Sequence, residues 1–318
     1  MPFDCRSGGC GECKGDLLNG EVRMRPFQES ALTRAEQAAG KVLFCCAEPT
    51  SDLEIAYVPV PGARPAPLRQ YGARVTALER LAPDVMKVML RVEDGGKLRW
   101  HAGQYIDVLV EGGQKRSFSF ATGPHVRGTS EVHIPRRPGG LYTTRVFETM
   151  KAGDFLRFEG PLGAFHLREA GAKPIIFVAG STGFAPVKSM VEYAFHAGLR
   201  RPMYLYWGVK SVGDFYMKEL PERWAREHAN FKFVPVLSEP APGDHWTGRM
   251  GTVHEAILHD FPVMTDCEVY ACGSVAMVES AHAAFLQKGM TGDRCFSDAF
   301  NFAPHIKGQG SEIVQTSD

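Results

Sequence analysis

Three cysteines, Cys5, Cys10 and Cys13, stand at C-x4-C-x2-C spacing near the start of the chain, and Cys45 lies far downstream in KVLFCCAEP. Thiolates so spaced, with one distant partner, form the plant-type pattern that holds a [2Fe-2S] cluster. Such a site is anionic, and backbone N–H groups aimed at its sulfurs stabilise it. A loop that turns its amides inward needs small residues. Ser7, Gly8, Gly9 and Gly11 supply them, and Arg6 adds a positive charge. The alternatives are a zinc site, which more often pairs C-x2-C with a second short-spaced pair, or unrelated buried thiols. Cys46 adjoins Cys45, and only one of the two can be the fourth ligand without straining the strand. Cys267, Cys272 and Cys295 lie outside this region.

A second group of residues suits nucleotide chemistry. Gly180, Ser181, Thr182 and Gly183 follow the apolar run PIIFVA and precede a helical pattern. A phosphate can sit on free amides at such a junction, although a lone glycine turn after a strand is often only a turn. Cys272 in ACGS falls where a strand of a parallel sheet ends, the usual ligand edge. It could equally be a buried core thiol. RSFSF, taken alone, reads as a plain alternating strand.

These residues need a scaffold, and the texture of the chain changes twice to provide one. Residues 1–58 carry five of the eight cysteines and end in the strand-like DLEIAYV; residues 59–70 hold four prolines and read as a semi-rigid linker. Residues 71–168 contain VMKVMLRV, QYIDVLV, RSFSFAT, SEVHI and DFLRFEGP, short alternating runs that predict an antiparallel β-barrel, with YTTRVFETM as a helical exception. In residues 173–303, PIIFVAG, PMYLYWGV, FKFVPVLS and EVYACGS alternate with helical patterns, which predicts a doubly wound parallel sheet. The polar tail 304–318 reads as disordered.

With 318 residues the chain accommodates two or three domains of about 100–200 residues each. Its 34 glycines and 21 prolines separate strong apolar runs and so mark turns rather than disorder. The 36 basic residues balance 36 acidic ones, which points away from nucleic acid and from anionic membrane surfaces. No apolar run is long enough to cross a membrane and no signal sequence opens the chain, so the expectation is a cytoplasmic protein with ligand, redox or core cysteines rather than disulfides.

CRSGGCGECK with LFCCAEPTSDLEI resembles the ferredoxin module of bacterial reductases that serve monooxygenases, ring-hydroxylating dioxygenases and a deoxysugar dehydrase. RSFSFAT, VHIPRRPGGLYTTRVF and EGPLGAFHL resemble the flavin-binding segments of the ferredoxin-NADP reductase superfamily. VAGSTGFAPVKSM, YWGVK, VLSEP and VYACGSVAM resemble its nicotinamide-domain signatures, in the expected order. The nearest group is that of CDP-6-deoxyglucoseen reductase-like and phenol hydroxylase reductase-like proteins, and the resemblance covers about residues 2–303.

That resemblance implies a β-grasp ferredoxin fragment, a flavin barrel and a nucleotide domain. Electrons would pass from NADH through FAD and [2Fe-2S] to an oxygenase, a dehydrase or a separate ferredoxin, in a monomeric protein. It assigns Cys5, Cys10, Cys13 and Cys45 to the cluster. Arg116 would neutralise FAD phosphate, Phe118 stack where relatives carry Tyr, and Ser119 bond near the flavin N5. His133 and Ile134 would line the flavin through their main chain, with Gly139, Gly140 and Thr143 at the pyrophosphate. Gly180, Thr182, Gly183 and Gly273 would hold the nicotinamide nucleotide. Cys272 would pack beside its ring, and Phe300 would cover the flavin or simply belong to the last strand.

Glu239, after Ser238, stands where NADPH users tend to carry Arg, which favours NADH over NADPH; Lys210 is the nearby opposing charge. Family ferredoxin modules carry more residues before the first ligand cysteine, so the module is expected to be incomplete, with reading frame upstream of Met1. A reductase without a working cluster, acting on flavins or quinones, and a non-catalytic redox-sensing subunit are the competing readings.

Overall fold

The computed structural model describes residues 8, 11, 13–27, 29, 31–57, 68–93 and 98–300. Cys5, Cys10 and the expected tail 304–318 lie outside the described residues, as do residue 58 and positions 59–67 of the expected linker. In the first segment β1 (Lys14–Asn19) pairs antiparallel with β3 (Lys41–Leu43) and β5 (Glu54–Ala56), while β2 (Val22–Met24) pairs with β4 (Ala47–Pro49). The short helix α1 (Arg34–Ala38) starts from a capping box, in which the Thr33 hydroxyl accepts from the Glu36 amide and the Glu36 carboxylate accepts from the Thr33 amide. Lys14 reaches the same carboxylate at 2.7 Å and ties α1 to β1.

The alternating runs of the middle segment form one antiparallel sheet ordered β10-β7-β6-β11-β8-β9. Its strands are β6 (Arg69–Ala82), β7 (Val85–Val92), β8 (Tyr105–Leu109), β9 (Lys115–Ser119), β10 (Ser130–Pro135) and β11 (Phe155–Leu162). The sheet closes where Phe120 meets Val132 and the Ala121 amide donates to Glu131 O at 2.8 Å. Alternate residues of β6 and β7, among them Tyr71, Ala73, Val75, Val88 and Leu90, are buried in the barrel. Helix α2 (Leu141–Glu148) lays Tyr142, Val146 and Phe147 into the same core. Arg69 and Gln70, read in the sequence as the linker's end, already pair with Gly160 and Glu159 as the start of β6.

The last segment is a parallel sheet ordered β15-β14-β13-β12-β16-β17. Its strands are β12 (Ile175–Gly180), β13 (Met203–Val209), β14 (Phe231–Leu237), β15 (Arg249–Met250), β16 (Glu268–Ser274) and β17 (Cys295–Phe300). The helices α3 (Phe184–His196), α4 (Glu219–Glu227), α5 (Val253–Asp260) and α6 (Val275–Gln287) connect them. Ile175 to Ala179 are wholly buried, as expected for a strand covered on both faces. No described helix is long and apolar enough to cross a membrane.

The barrel and the parallel sheet share one apolar core: Val85, Ala102 and Phe165 from the barrel side join Phe177, Phe184 and Trp207. Residues 168–174 connect the two and are held by buried Arg201. Its guanidinium donates to Lys173 O at 2.6 Å and to Arg168 O and Ala170 O at 3.3 Å, and pairs with Glu268 at 2.7 Å. Removing the cation leaves a carboxylate and three carbonyls short of a partner. Arg201→Met is therefore expected to cost about 3–5 kcal/mol in urea unfolding, with Arg201→Lys recovering only part because it lacks the planar fork.

Candidate functional site

Strand order reverses between β12 and β16, the place where a parallel sheet opens a crevice beyond its carboxyl ends. The backbone there is packed too tightly for side chains. A methyl group on Gly183 would collide with the carbonyl of Cys272, and one on Gly273 would lie 3.1 Å from Gly180 Cα. Ser181 between them takes φ +48°, a left-handed conformation that glycine adopts freely and L-residues resist. The indole N–H of Trp207 donates to Ser181 O at 3.0 Å and holds the turn. Thr182 is buried, and α3 begins directly after this turn without a side-chain cap.

Cys272 is fully buried at the carboxyl end of β16, directly opposite Asp298 of β17, and its Sγ lies 3.9 Å from Asp298 Oδ2. Phe300 ends β17 opposite Ser274 and packs on the cluster that contains Cys272, Phe184 and Tyr216. The structure thus brings Cys272, Phe300 and the Gly180–Gly183 turn to one end of the sheet. Ser238 and Glu239 sit at the end of β14, on the far side of β13. Their amides donate to Val209 O and Lys210 O at 2.9 Å. The Glu239 carboxylate faces Lys210 Nζ at 3.2 Å, both side chains exposed.

On the barrel, Arg116, Phe118 and Ser119 follow one another along β9, paired with Val108, Ile106 and Tyr105 of β8. Arg116 donates to Lys115 O at 2.8 Å and to Gln114 Oε1 at 2.7 Å. Phe118 faces Tyr142 with ring centroids 5.8 Å apart. The Thr143 hydroxyl accepts from the Arg137 amide at 3.2 Å and donates to Gly140 O at 3.0 Å, so it shapes the loop through Gly139 and Gly140. Helix α2 then starts at Gly140 without a side-chain cap, leaving first-turn amides for an anion.

The Tyr142 hydroxyl is buried without a hydrogen-bond partner among the described residues, and burial pushes it up to about 12. An orphaned buried hydroxyl beside uncapped amides and the Phe118 ring is the kind of place a large polar cofactor completes. Tyr142 and Asp298 escaped the sequence reading. Tyr142 adjoins the glycine pair in GGLYTT, which was a usable signal, whereas nothing local singles out Asp298. His133 and Ile134 lie in β10 paired to Lys87 and Met86, both buried, and the imidazole of His133 turns toward the nucleotide domain.

In the first segment, Cys13 is buried and its Sγ accepts from the Cys45 amide at 3.4 Å. Cys46 is also buried, with Sγ 3.9 Å from Pro26 O. An amide aimed at a cysteine sulfur is a contact an iron–sulfur site uses, which suits Cys13 as a ligand; Cys45 supplies that amide, and its own Sγ lies 3.6 Å from Cys46 Sγ.

Three families match in succession: a 2Fe-2S iron-sulfur cluster binding domain over residues 1–50, an oxidoreductase FAD-binding domain over 72–167, and an oxidoreductase NAD-binding domain over 177–283. The chain is 38% identical over 302 residues to the CDP-6-deoxy-L-threo-D-glycero-4-hexulose-3-dehydrase reductase of Yersinia pestis, covering 94% of this chain and 89% of that protein. It is 34% identical over 295 residues to the phenol hydroxylase P5 protein of Acinetobacter pittii, covering 90% and 82%. Among solved structures, the Amycolatopsis cytochrome P450 reductase GcoB superimposes with a TM-score of 0.79 at 34% identity, covering 94% and 90%.

The left-handed serine generates a direct expectation. Ser181→Gly relieves the backbone and should raise stability by up to about 1 kcal/mol in thermal unfolding. Gly183→Ala should do the reverse, because the carbonyl it meets cannot move without dislodging β16.

Proposed function

The chain belongs to the oxidoreductase family whose members join a 2Fe-2S cluster binding domain, an FAD-binding domain and an NAD-binding domain, and from that premise we propose that it is an NADH-dependent reductase serving a separate acceptor protein. It works as a cytoplasmic monomer, and its acceptor is an oxygenase component, a dehydrase or a ferredoxin. The observation that carries the reading is the crevice between β12 and β16, where Gly180, Gly183 and Gly273 sit too close for a side chain, with the buried Cys272–Asp298 contact at its edge. The chemistry supplied by the bound groups is conversion of a two-electron hydride into single electrons by FAD and their relay through the cluster.

The protein's part is binding and orientation. Arg116 and the uncapped start of α2 neutralise the FAD phosphates, the backbone of Gly139 and Gly140 allows close approach, and Thr143 keeps that loop in shape. Tyr142 donates its orphaned hydroxyl, Phe118 stacks, and Ser119 hydrogen-bonds beside the flavin, against the main chain of His133 and Ile134. Gly180, Thr182, Gly183 and Gly273 admit the nicotinamide nucleotide. Cys272, oriented by Asp298, packs beside the nicotinamide, and Phe300 covers the flavin until the nicotinamide arrives. Cys5, Cys10, Cys13 and Cys45 hold the cluster, with Cys46 serving the core beneath.

Ser238 and Glu239 meet the ribose. The Glu239 carboxylate engages Lys210, the nearby cation that could otherwise favour a 2′-phosphate. Glu239→Ala should therefore lower kcat/KM for NADH and raise it for NADPH, narrowing the preference by about tenfold, since an unpaired Lys210 becomes an anion site. Steady-state assays with both dinucleotides read this out.

The decisive experiment is an anaerobic visible spectrum of the purified protein before and after NADH. Bleaching of flavin and iron–sulfur bands together, with about two irons per chain, is the expected result. Flavin bleaching without iron would leave a cluster-free reductase. A colourless protein would overturn the flavin reading.

A further inference from the structure

Glu131 and His133 alternate along β10 and so present both side chains on one face of the strand, toward the nucleotide domain. His133 Nε2 lies 2.6 Å from Glu131 Oε1, and Nδ1 lies 3.0 Å from the hydroxyl of Tyr216, which is contributed by the loop ahead of α4. Lys188 of α3 reaches back across the same seam to Glu131 Oε2 at 3.4 Å and Ala121 O at 3.1 Å, and along its own helix to Glu192 at 3.1 Å. The Ser189 hydroxyl donates to Thr122 O at 2.8 Å. All of this is buried or nearly so, the His133 side chain completely.

The bonds run in one direction only. Burial opposes ionisation of Glu131, but the bond from His133 and the ammonium of Lys188 outweigh it and hold the carboxyl at about 2. An ionised carboxylate only accepts, so His133 carries its proton on Nε2. Burial, over the opposing pull of Glu131, keeps the ring neutral. Nδ1 is then an acceptor, and the Tyr216 hydroxyl, which burial keeps protonated, donates to it.

Each end of this chain of bonds is anchored to parts of the site. Tyr216 stands edge-on to Trp207 at 5.2 Å and to Phe184 at 6.0 Å. Trp207 holds Ser181 O, and Phe184 is the first residue of α3. On the other side, β10 carries the main chain assigned to the flavin. A purely apolar seam could slide; directional bonds between buried groups fix angle and register, at a desolvation cost that apolar residues would avoid.

We propose that Glu131, His133, Lys188 and Tyr216 are positioning residues that lock the flavin barrel to the nucleotide domain in the register hydride transfer requires. The inference rests on the flavin and nicotinamide reading above. Tyr216→Phe removes the one hydroxyl and leaves the ring packed. In the full chain with flavin bound, anaerobic stopped-flow should show the limiting rate of flavin reduction by NADH falling about tenfold, with the NADH dissociation constant within about twofold of the unaltered protein.

Amide exchange, read independently of turnover, should accelerate in β10 and the first turn of α3 and remain unchanged in β14. His133→Gln, which keeps a donor and an acceptor, should retain more of the rate than His133→Leu. An unchanged limiting rate in Tyr216→Phe, or a lower rate without faster exchange at the seam, overturns the lock. Unaltered protein that NADH fails to reduce overturns the functional reading instead, while the exchange data still decide whether the seam is held by these bonds.

Discussion

Much of this molecule follows from a single apolar mass that does not respect the boundary between its two larger sheets. Ala102 and Phe165 arrive from the barrel, Phe177 and Trp207 from the parallel sheet, and Phe184 and Met190 from the helix between, and all are buried together. At about 1.5–3 kcal/mol for each large side chain removed from water, separating the two units would expose a substantial part of what stabilises each. The approach is close enough that a methyl group on Gly103 would strike Met190. The crevice at the β12 and β16 ends therefore opens against a fixed wall.

The polar groups take their meaning from that seam. Glu131 and Lys188 are charges placed in an apolar boundary, tolerable because they pair with each other, because Lys188 also donates to Ala121 O and Glu192, and because Glu131 also accepts from His133. Cys272 belongs to the same core and faces Asp298, the two brought together by the register of β16 and β17. Ser181 bears backbone strain in the left-handed turn that follows β12.

Most of the strands and helices were legible because alternation and buried runs are local signals. VMKVMLRV became β7, PIIFVAG became β12, and YTTRVFETM became α2. The short strands β1 to β4 and β15 were not read from the sequence, and neither was the longest strand. YGARVTALERLA mixes strand alternation with a helix-like ALERLA, and only pairing with β7 and β11, through two register shifts, makes it β6. DFYMKELPERWAREHA reads as one helix, yet α4 starts at Glu219. Ser211 and Asp214 cap a tight turn ahead of it, and Phe215 and Tyr216 enter the core instead. The site was legible where family motifs repeat along the chain. Tyr216, Lys188 and Asp298 were not, because their partners are 83, 57 and 26 residues away in sequence and only the tertiary fold joins them.

The clamp on residues 168–174 has a consequence for motion. With Arg201 bonded to three of their carbonyls and the core continuous beneath, the connection between barrel and sheet is no hinge. Opening the crevice by swinging one unit from the other would take microseconds to milliseconds and break buried bonds, whereas a half-buried side chain at a strand end turns within nanoseconds. On the reading proposed above, entry of one ring and departure of another at this crevice falls to Phe300 at the tip of β17. An electron donor admitted in that way would displace a single side chain while the framework around it stands still.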